Sequence, residues 1–147
     1  MNDQLRTLIA DKGNRVHSIE PTATVLEAVR RMNDNGIGAI LIARGAGPVG
    51  IFTERDILRR VVARGLDPAT TPIGEVMTRE IVFVGPTVTV GEAMAIITAR
   101  RIRHLPVMEG GKLLGLVSSG DLTRWVSRGR ESEIQQLVEF ITGKYPA

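Results

Sequence analysis

The most informative stretch of this sequence is GIFTERD, residues 50–56, which ends an apolar run and begins a helix with a polar start. A related stretch, GLVSSGD, occupies residues 115–121, which is 65 positions later. In both copies a glycine comes first, a hydroxyl residue stands fourth and an aspartate stands seventh. We therefore expect two equivalent strand-to-helix turns to carry the function, with the rest of the chain as their framework.

The two turns belong to a longer internal repeat. A shift of 65 residues aligns residues 21–57 with residues 86–122 without a gap, and ten of the 37 aligned positions are identical. The identities include the threonine and glutamate of two helix-capping sequences, Thr24-Val25-Leu26-Glu27 and Thr89-Val90-Gly91-Glu92. An ungapped match over predicted helices and strands indicates a duplication.

Each copy predicts the same order of elements. Apolar residues spaced i, i+3, i+4 and i+7 follow each capping sequence and predict an amphipathic helix. The continuous apolar run 37–43 predicts a buried strand that pairs with the strand ending at Phe52. Each copy therefore reads β-α-β-β-α, and the fold class is a mixed α/β (α+β) fold. We divide the chain into residues 1–72 (N-terminal helix, first repeat and linker), 73–127 (second repeat) and 128–147 (C-terminal helix and tail).

The composition limits the class of protein. The 147 residues include no cysteine, which excludes disulfides, zinc thiolates, iron–sulfur clusters and cysteine nucleophiles. The net charge of +3 is small for a nucleic-acid-binding protein, which usually has a dense basic face. No run approaches the roughly 18 apolar residues of a membrane span, and the first residues do not read as a signal peptide. These features predict a cytoplasmic protein without membrane contact.

Two such units in tandem, with a glycine, two apolar residues, a serine or threonine and a later aspartate at each turn, resemble a CBS-domain pair of the stand-alone type. The stretch IRHLPV at residues 102–107 adds to the resemblance, which covers residues 16–126. It implies that the two sheets pack face to face about a pseudo-twofold axis, leaving two clefts that bind adenine nucleotides. It also implies that the aspartates hold the ribose diol, that the hydroxyl residues lie by ribose or phosphate, that the Arg-His position reaches the phosphates, and that two modules pair as a homodimer.

The residue types suit these roles. An ionised carboxylate is a pure acceptor that can take hydrogen bonds from both ribose hydroxyls, and a helix N-terminus favours an anion. Arg103 and His104 begin a strand of the second repeat and can bind phosphate, whereas the matching Gly38 and Ala39 of the first repeat would let a flat adenine lie against the backbone. We therefore expect two sites that differ in phosphate handling. The candidate ligand-binding residues are Ile37, Gly38, Ala39, Thr53, Arg55, Asp56, Arg103, His104, Ser118 and Asp121.

Simpler interpretations stand beside these. Either turn alone could be only a capped helix start with an acidic first turn, and His104 could be a structural histidine. Two histidines without cysteine predict no metal site, and no order of residues typical of a catalytic centre is present. The sequence therefore predicts a regulatory sensor of AMP, ATP or NAD that is not an enzyme and acts on an unknown partner protein. A nucleic-acid-binding module and an enzyme with an unrecognised site are the alternatives. The C-terminal helix, which lies outside the repeats, is predicted to stabilise the homodimer.

Overall fold

The structure is a computed structural model, and it describes residues 2–13, 15–45, 47–128 and 131–143. The helices are α1 (Leu5–Lys12), α2 (Val25–Asn35), α3 (Glu54–Asp56), α4 (Val90–Arg100), α5 (Ser119–Ser127) and α6 (Glu131–Gly143), and the strands are β1 (Ser18–Ile19), β2 (Ala39–Arg44), β3 (Gly47–Thr53), β4 (His104–Glu109) and β5 (Lys112–Ser118). Helix α3 continues directly as a π-helical segment, Ile57–Val62, and a 3-10 turn covers Ile73–Glu75. None of the described helices is long and apolar enough to cross a membrane.

The predicted duplication is visible in the strand pairing. β2 pairs antiparallel with β3, and β4 pairs antiparallel with β5. The register is the same in both hairpins: Ala39 faces Thr53, and His104 faces Ser118. Both hairpins also shift register at the equivalent place, after Ile42 and after Val107, so the local irregularity has been duplicated with the fold.

The first strand of each repeat is short. In the first repeat it is the two-residue β1, which runs parallel to β2. In the second repeat the described residues form only an isolated parallel bridge between Val84 and Val107. After the 3-10 turn at Ile73–Glu75 the chain becomes extended, and Thr78 bridges Ile51 of β3.

The helix ends confirm the predicted caps. The Thr24 hydroxyl accepts a hydrogen bond from the Glu27 amide, and Thr89 with Glu92 forms a reciprocal capping box. Gly36 ends α2 in the left-handed region, as glycine after a helix commonly does.

The sheets pack against each other, as the family resemblance implies. Ala39, Leu41 and Ile51 of the first sheet form one buried cluster with Leu113 and Leu116 of the second. Each repeat has a further aliphatic core between its sheet and its helices. The two repeats are therefore joined by an apolar layer between their sheets.

Segments outside the two aligned stretches, residues 21–57 and 86–122, complete both cores. α1, which our division of the chain groups with the first repeat, packs its buried Leu5, Leu8 and Ile9 into the core of the second. The first repeat is completed instead by residues 66–82, the connecting segment, which buries Ile73 and Met77 there. The backbone hydrogen bonds of these two segments also correspond. The first amide of α4 donates to the Asp3 carbonyl, and the first amide of α2 donates to the Thr71 carbonyl.

The C-terminal helix α6 has an apolar stripe. Ile134, Leu137, Val138 and Ile141 are 41–58% exposed on the isolated chain. The predicted homodimer stays a prediction, and residues 129–130 and 144–147 of the predicted tail region lie outside the described residues.

Candidate ligand-binding cleft

A cleft of about 500 Å³ opens between the repeats beside the first strand-to-helix turn. That volume lies within the range of about 300–1,000 Å³ typical of small-molecule sites. Its walls come from the turn itself, from the connecting segment, and from the residues that end α4 and begin β4. Six of the ten candidate residues line it: Gly38, Thr53, Arg55, Asp56, Arg103 and His104.

Asp56 is the buried acceptor at the floor of this cleft, with 7% of its surface exposed. Its Oδ2 accepts the Thr53 amide at 3.0 Å and the Thr53 hydroxyl at 3.3 Å. The Thr78 hydroxyl donates to the carboxylate at 3.2–3.3 Å, and Arg60 Nε lies 3.3 Å from Oδ1. Thr53 and Asp56 thus cap their own helix, as the simpler interpretation holds, but the carboxylate also borders the cleft.

The π-helical segment after Asp56 separates two neighbouring arginines. Arg60 turns back onto Asp56 and donates to the Met77 carbonyl at 3.1 Å, whereas Arg59 lines the cleft. π-Helical turns are rare and recur at functional sites. The segment therefore supplies one cation that orders the aspartate and one that faces the cavity.

His104 lies on the opposite wall, contributed by the second repeat. Burial lowers the pKa of its imidazole below the ordinary value, with the carboxylates of Asp121 and Glu54 acting in the opposite direction. The side chain is therefore neutral at pH 7, and it can act as a hydrogen-bond donor and acceptor in the cleft.

The second turn has the same motif and a different environment. Asp121 Oδ2 accepts the Ser118 amide at 2.8 Å and the Lys12 ammonium at 2.6 Å, while Arg124 binds Oδ1 at 2.7 Å. Lys12 also donates to the Leu116 carbonyl at 2.7 Å. Burial alone would raise the pKa of Asp121, but the hydrogen bonds and charge of Lys12 and the hydrogen bonds of Ser118 outweigh it and hold the pKa below its ordinary value. Neither Ser118 nor Asp121 lines the cleft.

The remaining two candidate residues, Ile37 and Ala39, pack in the apolar interior and do not line the cleft. Ala39 is 3% exposed and lies between the sheets, and Ile37 packs against the core of the first repeat. Gly38, between them, does line the cleft, and its carbonyl accepts the Glu54 amide at 3.1 Å.

Several residues that line the cleft were not predicted from the sequence. Thr78 and Glu80 lie in the connecting segment, where the repeat alignment has no partner, and Arg59 lies beyond the motif. Arg101 takes the place of Gly36 in the alignment, and this substitution of a charged residue for a helix-ending glycine was a signal that could have been used. Among the described residues, no three histidine, aspartate or glutamate side chains are grouped closely enough to hold a metal ion.

The arrangement combines one buried carboxylate, two threonine hydroxyls and several cations around one cavity. A model of the CBS domain matches residues 12–63 and 73–128 of the chain. The chain belongs to the CBS-domain family. Its two repeats are therefore CBS domains, and their sheet-to-sheet packing forms a CBS pair.

Known CBS proteins align over most of the chain. The mitochondrial CBS domain-containing protein CBSX3 of Arabidopsis thaliana is 36% identical over 127 residues, which are 83% of this chain and 62% of CBSX3, so the chain spans less than two thirds of that relative. The crystal structure of the CBS domain protein NE2398 is 37% identical with a TM-score of 0.81, covering 84% of this chain and 97% of NE2398. The CBS domain protein PAE2072 of Pyrobaculum aerophilum, complexed with AMP, is 28% identical with a TM-score of 0.71, covering 81% of this chain and 89% of PAE2072.

Proposed function

We propose that this CBS pair is a non-enzymatic regulatory module that binds one adenine nucleotide per chain in the cleft beside Asp56. The observation that carries the proposal is the meeting, in one cavity, of Asp56 from the first repeat with Arg103 and His104 from the second. Asp56 would accept the ribose hydroxyls, and the basic side chains would bind the phosphate. The AMP complex of the related PAE2072 supports a nucleotide ligand.

The ribose hydroxyls can bind Asp56 by replacing long hydrogen bonds that its carboxylate already accepts. The contacts from the hydroxyls of Thr53 and Thr78 and from Arg60 are 3.2–3.3 Å long, whereas a charge-assisted hydrogen bond from a hydroxyl is normally about 2.5–2.7 Å. Thr78 has a single proton and lies within 3.3 Å of both carboxylate oxygens, so rotation of its hydroxyl frees acceptor positions. The capping bond from the Thr53 amide need not be broken.

A ligand held from both walls couples the repeats. Because its ribose would contact the first repeat and its phosphate the second, the nucleotide favours the relative position of the repeats that makes both contacts at once. The resulting shift can be no larger than the difference in the ligand's affinity for the two positions. A partner protein that reads the position of the repeats would then sense the nucleotide, which is the proposed regulatory output.

The test is a thermal-shift screen of the purified chain with AMP, ADP, ATP, NAD, NADH and S-adenosylmethionine. A ligand at about 100 times its Kd adds roughly 2.7 kcal/mol of stability, which is readily detected. We expect at least one adenine nucleotide to raise Tm with a stoichiometry of one per chain. Absence of any shift, together with salt-sensitive binding of single- or double-stranded oligonucleotides, would instead identify a nucleic-acid-binding module.

A further inference from the structure

Arg101 has a backbone conformation that its side chain disfavours. It ends α4 in the left-handed region, with φ 53 and ψ 43, and it is the one non-glycine residue with positive φ among the described residues. At the equivalent end of α2 stands Gly36, with φ 61 and ψ 36. Glycine adopts this conformation without the steric conflict that a Cβ atom introduces, so the backbone alone does not account for an arginine here.

The side chain of Arg101 instead lines the cleft. Three other arginines do the same: Arg103 from the same wall, and Arg55 and Arg59 from the wall of the first repeat. Within the part of the chain that the structure describes, none of these four guanidinium groups makes an ion pair or a side-chain hydrogen bond. By contrast, Arg60, which also lies beside the cleft, is engaged with Asp56.

The cleft holds more unpaired guanidinium groups than one phosphate can pair with in bidentate contacts. Four unpaired guanidinium groups share the cleft with two unpaired carboxylates, those of Glu54 and Glu80, which leaves an excess of two positive charges. One guanidinium engages two phosphate oxygens in a bidentate contact, and the three oxygens of a terminal phosphate form three such pairs, one fewer than the four guanidinium groups. Four such groups on opposing walls therefore suit a chain of two or more phosphates.

We propose that Arg101 is a ligand-binding residue that contacts a second phosphate, so that the cleft prefers a ligand with a diphosphate or longer phosphate chain over a monophosphate. The inference rests on the proposed function of the cleft and makes it more specific. A nucleoside diphosphate or triphosphate and a dinucleotide share this chemistry. They differ in whether the outer phosphate is free or carries a second nucleoside.

The test compares the wild-type chain with Arg101→Gly by isothermal titration calorimetry and thermal denaturation. The ligands are adenosine, AMP, ADP, ATP, NAD, inorganic phosphate and inorganic pyrophosphate. Without ligand, Arg101→Gly should raise Tm by about 2–4 °C, because glycine relieves the left-handed strain. The Kd for ADP, ATP or NAD should nevertheless rise about tenfold, as loss of one charge-assisted contact implies, while the Kd for AMP changes less than about twofold.

Two further variants separate strain from binding. Gly36→Arg introduces the same left-handed arginine at a position that does not line the cleft, and it should lower Tm without changing any nucleotide Kd. Arg101→Lys keeps the positive charge and should retain part of the preference for the longer phosphate chain. A higher Tm combined with weaker diphosphate binding in Arg101→Gly is the result that a purely structural residue would not produce.

Specific results would overturn the proposal. Equal losses of AMP and ADP affinity in Arg101→Gly would show a contact to the first phosphate, and unchanged affinities would show no contact at all. If the wild-type chain bound no nucleotide but bound pyrophosphate more tightly than phosphate, in a manner that depends on Arg101, the proposed function would fail and the diphosphate site would stand. Failure of the wild type to bind any of the phosphate compounds would overturn both.

Discussion

At the first strand-to-helix turn, the Asp56 carboxylate has its partners at 3.0–3.3 Å, whereas at the second turn the Asp121 carboxylate has them at 2.6–2.8 Å. The motif is the same at both turns, and each aspartate caps its own helix. The difference comes from segments outside the repeats: the connecting segment brings the Thr78 hydroxyl to Asp56, and α1 brings the Lys12 ammonium to Asp121. One turn borders an open cleft, and the other is closed by an ion pair.

The comparison shows that a duplicated motif does not by itself make two sites. A carboxylate that already binds an ammonium and a guanidinium at short distances has little capacity left for a ribose. A carboxylate held by long contacts from hydroxyls can exchange them for others. The four predictions below test this difference, beginning with the largest expected effect.

Asp56→Asn should weaken nucleotide binding by roughly 100-fold, because two charge-assisted hydrogen bonds of about 1.5–3 kcal/mol each are reduced to neutral ones. Asp121→Asn is the matched change at the second turn and should alter the Kd by less than about threefold. Calorimetric titration of both variants measures the effect, with circular dichroism to confirm that each is folded. Equal losses in the two variants would show that both turns bind ligand.

Gly50→Ala should destabilise the protein more than the equivalent Gly115→Ala. A Cβ at Gly50 would lie 2.5 Å from Met77 Sδ and 3.0 Å from the Thr78 carbonyl oxygen, and the backbone atom cannot move aside without disturbing the strand bridge. A Cβ at Gly115 would lie 3.3 Å from three atoms of the Ile9 side chain, which is tight but can adjust. Overpacking of this kind costs about 1–3 kcal/mol, and we expect Gly50→Ala near the upper end and Gly115→Ala near the lower.

Chemical denaturation of the two glycine variants measures this difference. Because Ile51 and Thr78 both line the cleft, a displacement of the connecting segment would distort its wall, so Gly50→Ala should weaken nucleotide binding as well, while Gly115→Ala should not. A larger loss of stability at Gly115 would mean that α1 restricts its turn more than the connecting segment does.

The sequence predicted the parts of the fold that repeat. The hairpins and the capped helices follow from local patterns that occur twice, at residues 21–57 and 86–122, whereas the packing of the sheets was implied by the family resemblance. Six of the ten candidate residues lie in one cleft because this packing brings the first turn and the start of β4 together. The position of α1 could not be predicted, since an amphipathic helix fits any apolar groove and only the tertiary structure selects the second repeat.

The inequality of the two turns was beyond sequence reasoning for the same reason. Lys12 stands 109 positions before Asp121 and carries no motif. Arg103 and His104 belong to the second repeat by sequence, yet they line the cleft that contains the aspartate of the first. Contacts between repeats depend on how the sheets are placed, and that information is not contained in the periodicity of either repeat.

Lys12→Met should open the second turn. Removing the ammonium leaves Arg124 as the cation on Asp121, so we expect a second, weaker equivalent of nucleotide to appear in calorimetric titrations. The cost in stability should be about 1 kcal/mol or less, because the Lys12 side chain is 38% exposed and water screens the ion pair. Arg6→Met, which removes an exposed ion pair with Glu109 from the same helix, is the matched control and should leave the stoichiometry at one.

The same variant changes the acid sensitivity of the second turn. Since the folded-state pKa of Asp121 lies below its ordinary value, its stabilising contribution is present above the ordinary range near pH 4 and is lost as pH falls through the folded-state pKa. Without Lys12 this pKa rises, and the loss of stability begins at a higher pH. Two equivalents of nucleotide bound to the wild-type chain would contradict the role of Lys12 in closing the turn.

The smallest expected effect concerns His104 in the open cleft. Because burial lowers its folded-state pKa, the unfolded chain binds the proton more readily, and stability rises with pH up to and through the ordinary histidine range near 6.5. Below the folded-state pKa both states bind the proton, so this histidine no longer changes the stability as the pH falls further. His104→Gln should therefore flatten the pH dependence of Tm on the acid side of pH 7, and His17→Gln, which changes a histidine that does not line the cleft, serves as the control.

A phosphate bound beside His104 would favour the protonated imidazole, so saturating nucleotide should also flatten the pH dependence of the wild-type Tm. If nucleotide left the wild-type profile unchanged, His104 would not be in contact with the phosphate, and the arginines alone would carry its charge.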